Sequence, residues 1–230
     1  MILELSTKMW SEIGTGIYET IKMTLLSTAI GYLIGLPMGV ILNITSPNGI
    51  KSNKKIHTIL GFVVNLLRSI PFMIIAIWLI PFTRIIVGTG IGSTAMIVPL
   101  SICAAPFIAR MVESSLLEVD AGKIEAAQAM GSGNVTIITK VLLHEALPSL
   151  IVGAAITVVT VLGYTAVAGF LAGGGLGDIA VRYGYYRYQD DVMLIAIAIL
   201  VFLVLAFQAL GTKLAKKLDK RIKNNKETNY

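Results

Sequence analysis

Glu125-Ala126-Ala127-Gln128-Ala129-Met130-Gly131, running on to Leu147-Pro148, occupies the longest polar interval between hydrophobic runs of this chain. On both sides lie segments that belong in lipid. A charged, alanine-rich helix kept outside a bilayer by such a protein points to something that docks there. The residues from Val119 to Met130 favour helix, apart from Gly122. Asp120 near the start suits the positive helix end. Gly131, with Gly133, ends the helix in the manner of a left-handed cap. A second apolar helix, Val135 to Leu143, then leads toward Pro148. Two short helices meeting at a glycine turn predict a stiff lever lying along the membrane, with Ala126, Ala127 and Ala129 as a slim surface for a partner's groove. An interfacial helix without a partner is the competing reading.

Working outward, the composition is that of a membrane protein. The chain has 230 residues, 55% of them hydrophobic and 14% charged, with a mean hydropathy of +0.80. A soluble domain carries about 25% charged residues. The start of the chain holds Glu4, Lys8 and Glu12 and lacks the basic start and cleavage site of a signal peptide, so the first span is expected to be retained. The formal charge of +6 invites a nucleic-acid reading, but position argues against it. Lys213, Lys216, Lys217, Lys220, Arg221, Lys223 and Lys226 follow a hydrophobic span directly, where lysines set topology and meet anionic lipid.

Five runs are long enough to cross at about 20 residues each: 22–42, 59–80, 93–111, 150–171 and 192–210. They define a transmembrane domain over 22–212, an external segment over 1–21, a loop over 113–146 and a basic tail over 213–230. The fold class is therefore an all-α polytopic membrane protein with five transmembrane helices. Lys51, Lys54 and Lys55, then Arg110, Lys123 and Lys140, then the tail cations mark one side. That side is cytoplasmic, which puts the N-terminus outside, the C-terminus inside and the long loop in the cytoplasm.

Within the spans, Ser27, Gly31, Gly35 and Gly39 recur every four residues and predict a face for close helix packing. Arg68, with Asn65, lies about 13 Å from the inner edge of span two. It has two readings: a residue of the translocation path or gate, or a structural group that snorkels or caps carbonyls freed by Pro71. Span three carries Pro99 and Pro106, which suggest kinked helices around a cavity, and Cys103, read as a small core residue. Span four carries Thr160, Gly163 and Tyr164, small or polar positions assigned to the path. It ends in Ala172-Gly173-Gly174-Gly175-Leu176-Gly177-Asp178, whose glycines argue against a stable helix. That segment is either an ordinary outer turn or a flexible rim.

Several chemistries are missing from the chain. No Asp or Glu falls inside a span, which weakens an ion-coupled carrier. No Gly-x-x-x-x-Gly-Lys-Ser/Thr sequence provides an ATP site, and no cofactor is expected in this chain. His57 and His144 are separate and lack neighbours at metal-ligand spacing. Ser149 near His144 does not by itself make a catalytic pair.

The loop resembles the cytoplasmic coupling loop of ATP-binding-cassette importer permeases. Arg68-Ser69-Ile70-Pro71-Phe72, Ile80-Pro81-Phe82-Thr83-Arg84, Ala104-Ala105-Pro106-Phe107, Gly163-Tyr164-Thr165-Ala166, Gly174-Gly175-Leu176-Gly177-Asp178 and Arg182-Tyr183-Gly184-Tyr185 are similar, in order, to the methionine-importer permease subfamily. That resemblance implies a type I importer architecture in a bacterial cell membrane. It also implies a second copy of the chain, two ATPase subunits that bind ATP and Mg, and an extracytoplasmic methionine-binding protein. Glu125, Ala126, Ala127, Gly131 and Pro148 carry over as the ATPase-coupling element. His144 departs from the proline that relatives often carry after Leu142-Leu143, so the second loop helix is expected to run on or bend differently. A permease of the same type for another small amino acid or organic ion is the alternative, followed by an ion-gradient carrier.

Overall fold

Residues 7–218 are described by the computed structural model. Glu4, the tail cations Lys220, Arg221, Lys223 and Lys226 and the end of the tail lie outside the described residues. Among those described, four helices are long and apolar enough to cross a membrane, and a helix pair bent by 98° passes the same test when taken together as one broken span.

The first helix, α1 (Thr7–Thr45), has 39 residues. At about 58 Å it is far longer than the roughly 30 Å of bilayer hydrocarbon. The residues expected to form an external segment, from Thr7 on, continue the same helix as the first span. The glycine stripe meets α5 (Ser93–Leu117), which runs parallel to α1. A Cβ on Gly35 would stand 2.5 Å from the Ala105 carbonyl oxygen, and one on Gly39 would stand 2.5 Å from that of Ala109. Ser27 Oγ donates to the Ile97 carbonyl at 3.3 Å. Small residues at this spacing let the two backbones touch, as the pattern predicted.

Span two is not one helix. α2 (Lys54–Ser69) ends where Ile70 turns extended (φ −87°, ψ 128°). α3 (Phe72–Trp78) and α4 (Ile80–Val87) continue in a new direction. The cause is Pro71, which has no N–H to donate and disfavours a helical conformation at the residue before it. In the last turn before the break, Ser69 Oγ donates back to the Asn65 carbonyl at 2.8 Å. The segment 88–92 is a turn, with Gly88 and Gly92 at positive φ.

After the loop, α8 (Leu147–Ala168) returns along α5. It passes through a short 3₁₀ turn, Gly169–Leu171, into the glycine-rich segment. Here the structure overturns the expectation. Gly175–Ile179 is helical (α9) and largely buried. Its glycines sit where another backbone leaves no room: a Cβ on Gly169 would come within 2.3 Å of the Gly177 carbonyl carbon. The Glu19 carboxylate accepts from Gly175 N–H at 2.7 Å, and Thr20 Oγ1 accepts from Leu176 N–H at 2.9 Å. α1 thus caps α9, so the segment is a packed clasp rather than a flexible rim. A π-helical turn, Ala180–Tyr185, leads to the last helix, α10 (Asp190–Leu218). On its final turns Lys213, Lys216 and Lys217 are exposed.

The clasp has a second bolt. The Tyr183 phenol donates to the Glu12 carboxylate. This bond, ahead of burial, raises the tyrosine above its ordinary value of 10.0, while Arg182 and Arg187 pull it the other way. Both arginines lie over the ring, at 5.1 and 4.7 Å from its centroid. Because the folded value is the raised one, the contribution of the bond is complete below the ordinary value and is lost as pH climbs through the raised one. Tyr183→Phe is expected to cost about 1–2 kcal/mol at neutral pH and to flatten the alkaline fall in stability. Thermal melts of both proteins from neutral pH into the alkaline range measure this; identical alkaline slopes would contradict it.

Candidate functional site

Two places collect the functional candidates: the polar loop at one end of the bundle and a cavity in its middle. α5 runs past the expected boundary at 111 to Leu117, so Glu113 belongs to a helix rather than to the loop. Glu113 is only 7% exposed. Burial of a carboxylate requires a partner, and Arg110 Nη1 supplies it at 2.6 Å. Arg110 Nη2 also donates to Asn65 Oδ1 at 3.0 Å, which fastens α2 to α5 just above the loop. Reading by span left this node unseen, although Asn65 and Arg110 both stood out as polar.

The loop then forms α6 (Ala121–Ala129). Asp120 caps it by accepting from Gly122 N–H at 2.7 Å. Gly131 takes φ 76° and donates its N–H to the Gln128 carbonyl at 2.9 Å, the left-handed end that its position predicted. The second loop helix, α7 (residues 134–145), contains a π-helical stretch, Ile137–Leu142, and continues through His144 to Glu145. Running on past the leucine pair is one of the two outcomes expected there. Lys123 and Glu145 form an ion pair across the two loop helices. Ile124, Ile138 and Leu143 pack against the core cluster that includes Leu116, Leu142 and Ala146. Charge thereby ties the two helices of the lever to each other, and apolar contact joins the lever to the bundle.

Glu125, Ala126, Gln128, Ala129 and Gly131 are exposed, as is Met130 at 78%. Ala127 is not. At 4% exposure it lies under α6, which corrects its assignment to the presented surface. Helical spacing turns Ala127 inward while Glu125 and Ala126 face away. Pro148 occupies the first turn of α8, where a missing N–H costs nothing. It lines a groove with Ser115, Glu118, Glu145 and Lys216 instead of sharing the exposed face. Ser149 Oγ meets Ser115 Oγ at 3.0 Å, so its bond goes to α5 and not to His144. His57 Nδ1–H donates to the Leu42 carbonyl at 3.0 Å, a structural contact.

The second place is a cavity of about 230 Å³ lined by Leu67, Arg68, Ile70, Phe72, Ile75, Cys103, Phe107 and Tyr164. It opens where span two breaks. Arg68 lies in the last turn of α2, about 21 Å along the helix from Lys54. The Phe107 ring lies 5.9 Å from its guanidinium carbon. Tyr164 stacks on Phe72 at 5.0 Å and 8°. Arg68 and Tyr164, both assigned to a path, therefore share one site. Thr160 and Gly163 lie outside it. Thr160 Oγ1 donates to the Ile156 carbonyl at 2.9 Å, and Gly163 is exposed with open space before it. They belong to an open face of α8 with Val152, Ile156 and Val167, continued by Phe170 in the turn that follows. Cys103, read as a core residue, is half-buried and lines the cavity wall.

Loop, node and cavity all fall within residues 31–224, which match the family of binding-protein-dependent transport system inner membrane components. The chain belongs to that family. This inner membrane component is 46% identical over 207 residues to the probable D-methionine transport system permease protein MetI of Vibrio cholerae serotype O1, covering 90% of the chain and 92% of the relative. It is 53% identical over 154 residues to the D-methionine transport system permease protein MetI of Escherichia coli K12, covering 67% of the chain and 71% of the relative. Its fold superposes on a chain of the inward-facing MetNI methionine ABC transporter with a TM-score of 0.92 and 47% identity, over 94% of this chain and all 100% of that one. An amino acid ABC transporter 21% identical shares the fold, with a TM-score of 0.75.

Proposed function

We propose that this chain is the permease subunit of an ATP-driven methionine importer in the bacterial cell membrane. Two copies form the path, two ATPase subunits bind ATP and Mg and sit against the loops, and an external binding protein delivers methionine. The observation that carries this reading is the near-complete overlap with a methionine ABC transporter chain at 47% identity, with the D-methionine permeases in support. The N-terminus lies outside and the C-terminus inside, supported by the lysines at the loop end.

Glu125, Ala126, Met130 and Gly131 meet the ATPase, Ala127 holds α6 to the chain beneath it, and Pro148 starts the helix that the lever moves. ATP binding closes the ATPases, and the loop transmits that motion to α5 and α8, to which it is packed. The path then alternates between the two sides. Arg68 and Tyr164 line it, and the open face of α8 with Thr160 and Gly163 is turned toward the second copy. Gentle extraction of the chain from its native membrane tests the assembly. An ATPase in equal amount is the expected companion; a homogeneous complex without one would overturn it.

A further inference from the structure

Three features of the cavity at the break of span two point to a ligand. The first is charge. Among the described residues the side-chain ion pairs are Arg110 with Glu113, Lys123 with Glu145 and Arg182 with Asp178. Arg68 has no carboxylate partner, although its helix lies between segments that cross the membrane. Arg68 is exposed in the single chain, so its guanidinium is available to an anion that enters the cavity.

The second is shape. At about 230 Å³ the cavity is smaller than the roughly 300–1,000 Å³ of drug-sized sites. It suits a small molecule. The third is chemistry. Phe72, Phe107 and Tyr164 give aromatic walls and Leu67, Ile70 and Ile75 aliphatic ones. The parallel stack of Phe72 and Tyr164 fixes two of the walls, and the Phe107 ring holds the guanidinium. One cation at the edge of an apolar pocket matches one carboxylate attached to one apolar group.

We propose that this cavity binds the α-carboxylate and apolar side chain of a transported amino acid, with Arg68 pairing the carboxylate. The guanidinium fork matches a carboxylate in two parallel hydrogen bonds. A thioether side chain lies against Phe72, Phe107 and Tyr164, where sulfur–aromatic contact is favourable. The site lies beside the unwound backbone at Ile70-Pro71, and irregular backbone at membrane depth is expected only where it faces protein or a cavity. Binding is weak enough to release, because the carboxylate meets one cation in a small and partly open site. This inference rests on the reading of the chain as a methionine permease.

The test uses the purified permease–ATPase complex in lipid nanodiscs without binding protein, with radiolabelled L-methionine in equilibrium dialysis. Competitors are 3-(methylthio)propanoate, which keeps the carboxylate, and 3-(methylthio)propylamine, which lacks it. The propanoate is expected to displace methionine and the amine to leave it bound. Arg68→Gln weakens binding by about ten- to a hundredfold, the loss of a charge-assisted pair, and Arg68→Lys recovers part of it. Equal methionine binding by wild type and Arg68→Gln would overturn the proposal and place the ligand on another subunit. Equal competition by the amine would overturn it as well. So would loss of methionine binding on moving from lipid-free maltoside micelles to phosphatidylglycerol nanodiscs, which assigns Arg68 to a lipid phosphate. If Arg68→Gln does not fold, the two competitors on the wild type decide alone. ATP-driven methionine uptake by a wild-type complex that binds no methionine here sinks the cavity and leaves the importer reading standing. Absence of both sinks the importer reading too.

Discussion

Gly131→Pro is expected to reduce ATP-driven methionine uptake at least about tenfold while the permease still reaches the membrane, because proline is incompatible with this turn in three ways. Gly131 has φ 76°, and the proline ring holds φ near about −65°. Its N–H donates to the Gln128 carbonyl at 2.9 Å, and proline has none to give. Proline also drives the preceding residue out of helical conformation, whereas Met130 sits at φ −76°, ψ 4°. The damage is confined to the junction of α6 and α7, which carries the exposed surface of the loop. Insertion of the five spans does not depend on it. Glu125→Lys should impair the same step by a different route, reversing a charge on the exposed face without touching the turn. Uptake assays at matched membrane abundance measure both. Normal uptake by either variant would remove that residue from the lever.

The second large effect is structural. Gly39→Val places its Cβ 2.5 Å from the Ala109 carbonyl oxygen and 2.6 Å from Val112 Cβ. The neighbour is α5 backbone, which cannot swing aside as a flexible side chain can. The expected loss is at or above the upper end of the roughly 1–3 kcal/mol typical of overpacking. It should appear as a lower thermal midpoint and reduced abundance of the detergent-purified permease. Gly14→Ala is the control on the same helix: a Cβ there meets nothing within 4 Å, and alanine gains up to about 1 kcal/mol of helix propensity. If Gly39→Val melts like the Gly14→Ala control, α1 and α5 do not pack through the glycine stripe.

These two glycines also show what was legible in the sequence. The stripe at Ser27, Gly31, Gly35 and Gly39 repeats at helical spacing, and Gly131 follows an alanine-rich helix. Both signals are local, and both hold in the structure. The apolar runs gave the crossings, because hydropathy over about 20 residues needs no knowledge of the rest of the chain. The break of span two was harder to see. Its hydropathy continues through the bend, and only Ser69-Ile70-Pro71 marks the place where the helix must stop.

The misread segments depend on contacts from far along the chain. Glycines from Gly173 to Gly177 lower helix propensity, which is a local fact. They are nevertheless ordered, because Glu19 and Thr20 cap the backbone of α9 and Gly177 lies against Ala166. No local pattern at 172–178 announces a partner on α1. Ala127 was misassigned for a related reason: helical spacing separates it from Ala126 but does not say which of the two meets α7. The cavity brings Arg68, Phe107 and Tyr164 together from three helices. Sequence singled out Arg68 and Tyr164 by their polarity, and Phe107 looked like one more apolar residue of span three.

In the proposed function this chain supplies the path and lever of an importer powered by a separate ATPase. The most direct measurement is methionine uptake into proteoliposomes that contain the permease with its ATPase. Methionine-loaded binding protein is added on one side and ATP on the other, and parallel vesicles carry a proton gradient without ATP. The account predicts uptake only where ATP, ATPase and binding protein are all present. Uptake driven by the gradient without ATP, or no methionine uptake by the fully supplied complex, would contradict it.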